Sequence, residues 1–180
     1  MSYTNGLDKP SLYNQTKIYT GDGNDNRNIV FDVTDTTMQP DFLWSARRDS
    51  GDNLSIYDSV RGDGKELRTA ESGAEYSRTN NIQALQNNGF QVGTDGQVNA
   101  NGGTYVSWGF KAGTAFTNDA SSTGIGTIDS TGSASATSGF SIVSYTGTGS
   151  AGTIKHGLSS IPKMIIVKDL DSGSYSWHVY

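Results

Sequence analysis

The sequence predicts an all-β fold made of antiparallel β-sandwich units, of the jelly-roll or lectin-like kind, with long loops rich in Gly, Ser, Thr and Asn. The 180 residues include 23 glycines among abundant Ser, Thr, Asn and Asp. These residues compete for backbone hydrogen bonds or weaken helix interiors, so they favour short strands and turns over long helices. Hydrophobic residues make up 33% of the chain, which suits thin sandwich cores better than one large globule.

Short apolar stretches between turn signals predict the strands of the first two thirds of the chain. They lie at residues 17–20, 28–33, 41–47, 54–58, 89–93 and 104–111. The last stretch alternates most clearly, because Tyr105, Ser107 and Gly109 point to one side and the intervening apolar residues to the other, so one side faces a core. Residues 61–88 are polar and weakly patterned; they could form a short helix or a long loop, and a long loop is the preferred prediction.

Four parts are predicted along the chain. Residues 1–16 are an N-terminal arm, either loosely held or a docking peptide that orders on a partner. Residues 17–116 form one β-sandwich unit. Residues 117–138 are nearly all small or polar and predict a linker, with one short strand at 126–129. Residues 139–180, with two apolar stretches predicted as strands at 139–149 and 157–169, are the start of a second, incomplete unit.

An internal repeat supports this modular organisation. Tyr19, Thr20 and Gly21 recur as residues 145–147, and Pro40 before an apolar strand recurs as Pro162. An apolar–aromatic pair follows each proline, at residues 56–57 and 179–180, and one inserted residue aligns the two copies. We therefore expect the natural protein to be longer than these 180 residues, and the strand edges of the second copy to need another segment or chain to cover them.

Composition excludes several classes of function. A net charge of −5 argues against binding nucleic acid through its phosphates. The absence of cysteine excludes disulfides and thiolate zinc sites. No apolar run approaches the length of a membrane span, and the polar N-terminus does not resemble a secretion signal. We expect a protein made in the cytosol, without membrane insertion and without nucleic acid as a partner.

Two short motifs resemble known binding sequences but fit ordinary turns better. Residues 61–63 spell Arg-Gly-Asp, the integrin-type tripeptide, which glycine-rich surroundings explain as a turn. Residues 22–26 resemble the start of a calcium loop, yet Arg27 and Val33 occupy the positions where an EF-hand needs Gly and Glu. A shallow cation site in that turn is the weaker alternative.

Side chains that could carry catalysis do not form a recognisable constellation. Glu66, Glu71 and Glu75 are interpreted as solvated loop carboxylates, not as a pair for glycoside cleavage. His156 and His178 are interpreted as structural or surface residues, because no nucleophile elbow or second ligand cluster accompanies them. We therefore predict no enzyme, no catalytic, cofactor-binding or metal-ligating residues, and no cofactor.

The three tryptophans allow two interpretations. Trp44, Trp108 and Trp177 could stack on sugars if their rings were exposed, as in lectin-like sandwiches. All three lie at or beside alternating apolar strand positions, so packing in a core is the preferred prediction.

Glycine and aromatic motifs spread over nearly the whole chain resemble a known family. Residues 9–23, 39–44, 57–62, 88–90 and 105–113 are similar to a domain in structural proteins of marine tailed phages, and residues 139–169 resemble the second unit of that family. Residues 45–48 depart from it, because Ser-Ala-Arg-Arg stands where relatives tend to have an isoleucine–lysine strand end. The resemblance implies a virion protein, commonly a tail fibre or another tail-associated component.

The expected function is accordingly that of a non-enzymatic structural component of a phage virion, assembled in the host cytoplasm. The leading expectation is the tail-attached N-terminal part of a fibre involved in host adsorption, with a tail adaptor or nozzle protein and neighbouring fibre chains as partners. Fibres are usually homotrimers, which bury apolar strand edges. The alternatives are a lectin-like module that binds a host surface glycan, and a capsid decoration protein.

Overall fold

The computed structural model describes residues 9–180, so residues 1–8 of the predicted arm lie outside the described residues. The rest of the arm contains a short 3-10 turn at Pro10–Leu12 and the start of the first strand. The described chain is nearly all β, and every pair of neighbouring strands in it is antiparallel, so the predicted all-β sandwich class is confirmed.

The described residues form fourteen strands and two short helices. In chain order these are β1 (Asn14–Thr20), β2 (Arg27–Val30), β3 (Phe42–Arg47), β4 (Ser55–Asp58), β5 (Lys65–Arg68), β6 (Tyr76–Ser77), β7 (Ile82–Gln86), β8 (Gly89–Val92), α1 (Gly96–Asn99), β9 (Thr104–Phe110), β10 (Thr114–Asn118), α2 (Ala120–Thr123), β11 (Ser130–Ser135), β12 (Phe140–Tyr145), β13 (Ile166–Val167) and β14 (His178–Val179).

Two sheets pack face to face to form the main sandwich. The larger has the order β1-β9-β3-β4-β5-β6, and the smaller has the order β2-β8-β7. Strand β9 is central, because it pairs with β1 over seven residues and with β3 over six. Strand β9 therefore lies between β1 and β3, although both of these strands are far from it in the sequence.

The core lies between these two sheets and is built mainly of aromatic and aliphatic side chains. It comprises Tyr19, Ile29, Phe31, Met38, Leu43, Tyr57, Ile82, Phe90, Val92, Val98 and Tyr105. Tyr19 stacks on Tyr105 with ring centroids 5.1 Å apart, and Phe90 meets Tyr19 and Phe31 edge-on at 5.9 and 6.3 Å. Large interlocking rings therefore fill a thin core in a chain with few hydrophobic residues.

Residues 61–88 are not the long loop that their polarity predicts. They contain β5, β6 and β7, and Leu67 and Ile82 are buried. The polar neighbours of these residues are compensated by ion pairs, such as the one between Glu66 and Arg68 at 3.2 Å. Polar composition predicted a loop wrongly here, because paired charges can occupy strands.

The small-residue stretch 117–138, predicted as a linker, contains α2 and β11, while the division into four parts stays a prediction. The short strand expected at 126–129 lies instead at Ser130–Ser135, between β10 and β12. The small residues of β11 allow neighbouring side chains to pack closely on it. A Cβ added at Gly132, for example, would lie 2.6 Å from the Phe116 ring. Of the two strands predicted at 139–149 and 157–169, the first is β12 and the second contributes only β13, which pairs with β14.

Two core tyrosines differ in how their hydroxyls are satisfied, and this gives a matched pair of substitutions. Tyr19 donates to the Val98 carbonyl at 2.8 Å, whereas the buried hydroxyl of Tyr57 has no partner among the described residues. We expect Tyr19→Phe to lower the free energy of unfolding by about 1 kcal/mol and Tyr57→Phe to leave it unchanged or raise it. Urea unfolding measures both. Equal losses in the two variants would contradict the assignment.

Alkaline pH should destabilise the protein through the same two phenols. Burial raises the pKa of both Tyr19 and Tyr57 above the ordinary value for tyrosine. Unfolded tyrosines ionise near pH 10, so the unfolded state releases protons that the folded state keeps. The free energy of unfolding should therefore fall as the pH rises above about 10. Absorbance at 295 nm should show these two phenols ionising only as the chain unfolds, and their titration in the folded chain would contradict this.

Candidate interaction surface

The face of the six-stranded sheet that points away from the core is rich in apolar side chains. Register places Trp108 of β9 opposite Trp44 of β3, and Val106 opposite Ile18 of β1. These four residues are called the aromatic face. Trp44 is 37% exposed and Ile18 is 60% exposed, whereas Val106 and Trp108 are half-buried.

The two indoles of the aromatic face lie side by side. Their ring centroids are 6.0 Å apart and their planes are inclined by 59°. At one end of the face, Phe140 of β12 packs on Phe42 and Phe110, with centroids 5.6 and 5.5 Å away. An open cleft of about 310 Å³ lies between this phenylalanine cluster and the turn that contains Pro10. The three-stranded sheet β10-β11-β12 thus covers one end of the face through Phe140 and leaves Trp44 exposed.

The preference for tryptophans in a core was wrong for Trp44. Trp177 is half-buried, and its indole N–H donates to the Arg68 carbonyl at 3.0 Å. The buried side of β9 is the one that carries Tyr105, Ser107 and Gly109. A Cβ at Gly109 would lie 2.6 Å from the Phe31 ring, so small residues are needed where the second sheet packs closely. Alternation reveals two sides of a strand but does not tell which one is buried.

The Arg-Gly-Asp tripeptide is a turn, and its arginine is not available to a receptor. The Arg61 side chain is 7% exposed. Its guanidinium bonds Glu75 at 3.1 Å and the Ile56 carbonyl at 3.2 Å, and it also pairs with Asp58. Gly62 has a φ of +91°, which glycine adopts readily.

The turn at residues 22–26 is held by its own hydrogen bonds. The backbone N–H of Asn24 donates to Asp22 at 2.9 Å, and this bond lowers the pKa of that carboxyl. Asp22 also lies 3.3 Å from the Arg27 guanidinium. Within residues 9–180 no group of three His, Cys, Asp or Glu side chains is placed to hold a metal ion.

A buried asparagine anchors this turn, and sequence reasoning missed it. The amide nitrogen of Asn99 donates to the Asn24 carbonyl at 2.8 Å and to the Gly93 carbonyl at 3.0 Å. Its oxygen accepts from the Asp22 backbone N–H at 3.1 Å. An asparagine in a turn-rich sequence carries no mark of burial, so only the fold reveals this position.

The three glutamates considered as catalytic candidates all form ion pairs, in two separate networks: Glu66 and Glu71 share Arg68, whereas Glu75 pairs with Arg61 and Lys65. Glu66 is fully buried; Ser55 donates to it at 2.6 Å, and Arg68 and Arg78 lie 3.2 and 3.4 Å away. Glu71 pairs with Arg68 and accepts from the Tyr76 hydroxyl at 3.0 Å. Burial acts to raise the pKa of Glu71, but these bonds outweigh it and hold that pKa below its usual value. Each of the three carboxylates has a cationic partner, and none is the freely solvated loop group that the sequence predicted.

The two histidines lie far apart in the chain and differ in surroundings. His156 is half-buried, and its Nδ1 accepts from the backbone N–H of Leu158 at 3.2 Å. His178 lies in β14 and is exposed.

Comparisons with known proteins place the chain in a family whose function is not described. A family model described as Domain of unknown function (DUF7483) matches residues 9–180, nearly the whole chain. No curated protein matches the chain. No solved structure matches it either. Separately, the described helices include none long and apolar enough to cross a membrane.

Proposed function

We propose that this chain, which belongs to the DUF7483 family, is a non-enzymatic structural component of a phage virion, most specifically the tail-attached part of a tail fibre. The sequence resemblance to structural proteins of marine tailed phages supports this role. The repeated, modular organisation also suits it, because successive units extend the reach of a fibre from an anchored base.

The observation that carries the proposal is a concentration of exposed apolar side chains toward the C-terminus. Seven large apolar residues there are exposed, namely Ile161, Met164, Ile165, Ile166, Tyr175, Val179 and Tyr180. Soluble monomers rarely present so many apolar groups together, and such groups usually mark contacts with other polypeptides. A subunit of an assembled particle has neighbours that can cover them.

A homotrimer is the proposed state of the fibre, with a tail adaptor or nozzle protein at its base. Threefold packing would bury apolar edges that a single chain exposes. Sedimentation equilibrium of the purified chain should give three times the mass of 19.1 kDa. A monomer at the highest attainable concentration would argue against trimer formation through this region.

Localisation in the particle tests the function itself. Immunogold electron microscopy of particles produced by the same genome should place the label at the tail. Label on the capsid would favour the decoration-protein alternative and overturn the tail-fibre proposal. Absence from purified particles would overturn the structural role as a whole.

Binding of a host surface glycan is a second candidate function, and the exposed Trp44 beside Trp108 favours it. A sugar ring can stack on an exposed indole through its apolar face. If the aromatic face binds a glycan, Trp44→Ala should reduce binding on a glycan array about fivefold or more, since a stacked aromatic contributes on the order of 1 kcal/mol. Ile18→Ala on the same face is the control and should retain binding. No binding by the wild type, with or without calcium, would reject this candidate.

A further inference from the structure

The turn that joins β4 to β5 contains one of the five Asx–Gly pairs among residues 9–180, where Asx is Asp or Asn. The five pairs lie at residues 22–23, 63–64, 88–89, 95–96 and 101–102. In such a pair the glycine nitrogen can attack the side-chain carbonyl carbon of the preceding residue and close a five-membered succinimide ring, because glycine has no Cβ to hinder the approach. Whether a pair reacts in the folded chain depends on whether its two reacting groups are free.

Both reacting groups of the pair Asp63–Gly64 are free. Asp63 is exposed, and its carboxylate has no hydrogen-bond or ion-pair partner among the described residues. The peptide unit that joins the two residues is also unbonded, since neither the Asp63 carbonyl nor the Gly64 N–H has a hydrogen-bond partner within residues 9–180. Gly62 and Gly64 have φ values of +91° and +70°, which glycine adopts readily. A Cβ added at Gly62 would meet nothing within 4 Å, so this side of the turn is open to water.

The two ends of this turn are held in place on either side of the free pair. The Arg61 guanidinium donates to the Lys65 carbonyl at 3.1 Å, which closes the turn. The Gly64 carbonyl accepts from the Arg78 N–H at 2.8 Å, so the start of β5 is fixed while the Gly64 nitrogen is not. The tip of the turn can therefore change conformation without unfolding of the strands that flank it.

Two of the other pairs are restrained through the glycine nitrogen. The Gly23 N–H donates to the Asn99 carbonyl at 2.9 Å, and the Gly102 N–H donates to the Gly21 carbonyl at 3.0 Å. Attack on the preceding side chain requires the nitrogen to lose its proton and turn toward that side chain. Each of these hydrogen bonds would have to break first, so reaction at residues 22 and 101 is slowed in the folded chain.

The remaining two pairs are restrained through the side chain or by burial. The Asp95 carboxylate accepts from the Gln97 N–H at 2.8 Å and caps α1. The Asn88 side-chain oxygen accepts from the Met38 N–H at 3.3 Å, and Gly89 is buried in β8, which lies between β2 and β7. The fold therefore leaves only one of the five pairs with both groups free.

We propose that Asp63–Gly64 is a modification site at which isoaspartate forms spontaneously in the folded chain. The Gly64 nitrogen forms a bond to Cγ of the protonated Asp63 carboxyl, and the carboxyl hydroxyl leaves with the amide proton as water. One water molecule then opens the succinimide. Cleavage of the new N–Cγ bond restores aspartate, whereas cleavage of the original peptide bond leaves the chain linked through Cγ as isoaspartate.

The reaction consumes no reagent and changes the turn, not the core. The water lost in ring closure is regained in ring opening, so the net step is an isomerisation. Isoaspartate adds one carbon to the backbone between Arg61 and Lys65 and converts the Arg-Gly-Asp tripeptide into a different sequence. The inference is independent of a role in a virion, since it depends on the geometry of this turn alone.

Incubation of the folded wild-type chain in buffer tests the proposal directly. Electron-transfer fragmentation of its peptides locates isoaspartate, and an isoaspartyl methyltransferase with S-adenosylmethionine measures its total amount. Isoaspartate should accumulate at residue 63 about fivefold or more faster than at residues 22 and 95, the order of magnitude for one hydrogen bond that must first break. Asp63→Glu is the control, because its longer side chain cannot close the five-membered ring, and the signal from this turn should disappear. Accumulation at residue 63 no faster than at 22 and 95 would overturn the proposal.

Asp63→Asn allows three chemically identical pairs to be compared within one chain. This variant has Asn–Gly at residues 63, 88 and 101, and ring closure at each releases ammonia, so hydrolysis leaves a mass increase that locates every event. In native buffer residue 63 should deamidate about fivefold or more faster than residues 88 and 101. In concentrated urea the three rates should agree within about threefold, because only the fold separates them. Equal rates at the three positions in the folded chain, or a difference that persists in urea, would overturn the proposal.

Discussion

Replacing Phe90 by alanine should cause the largest loss of stability of any single core truncation, about 3–5 kcal/mol. Phe90 is fully buried and meets the rings of Tyr19, which lies in β1 of the larger sheet, and of Phe31, which follows β2 of the smaller sheet. Its removal leaves a cavity at the centre of a thin core with little material to collapse into the space. Urea unfolding followed by far-UV circular dichroism measures the change.

Val30→Ala provides the control for this substitution. Val30 lies on β2 opposite Gly89, directly beside Phe90 in sequence, but it is 52% exposed. Its truncation should change the free energy of unfolding by no more than about 0.5 kcal/mol. If Phe90→Ala cost no more than Val30→Ala, the packing of the two sheets described above would be incorrect.

Replacing Glu66 by alanine should cost a comparable 3–5 kcal/mol, the order of magnitude for breaking a buried ion pair from one side. The carboxylate is fully buried, and its partner Arg68 has a side chain only 14% exposed. Loss of the carboxylate leaves this cation with its more exposed partner Glu71, and leaves the Ser55 hydroxyl without its acceptor. The midpoint of thermal unfolding and urea titration report the change.

Glu71→Ala separates the effect of burial from the effect of charge. Glu71 pairs with the same arginine at the same 3.2 Å, but its side chain is 32% exposed. Solvent screens such a pair, so its loss should cost about 1 kcal/mol or less. If the two substitutions lowered the free energy of unfolding by similar amounts, burial of Glu66 would not explain the cost of removing its carboxylate.

The sequence predicts the all-β class and the individual strands with clear alternation, because a period of two follows directly from strand geometry. Strand β9 shows the limit of that signal. Its two sides were separable from sequence, yet the buried side carries the small residues Ser107 and Gly109, and the opposing Phe31 ring leaves no room for a side chain at Gly109. The linker predicted around Gly132 is a strand for the same reason. Closely packed strands and flexible linkers both favour small residues, so composition does not distinguish them.

Long-range pairing explains what else the sequence did not predict. The exposure of Trp44 depends on β9 lying beside β3, and these strands are about sixty residues apart in the chain. Asn99 is buried only because the turn at residues 22–26 folds over it. The internal repeat is predicted from short-range spacing alone, which can be read directly from the sequence, and it stays a prediction.

Hydrogen exchange at Ile166, compared between the isolated chain and intact particles, tests the proposed assembly role most directly. The open edge of β13 leaves this amide without a neighbouring strand in the described chain, so it should exchange rapidly in the isolated protein. In particles a neighbouring chain packed on the exposed apolar residues of β13 should slow its exchange by orders of magnitude. Equally rapid exchange in both states, or absence of the chain from purified particles, would contradict an assembly role for this surface.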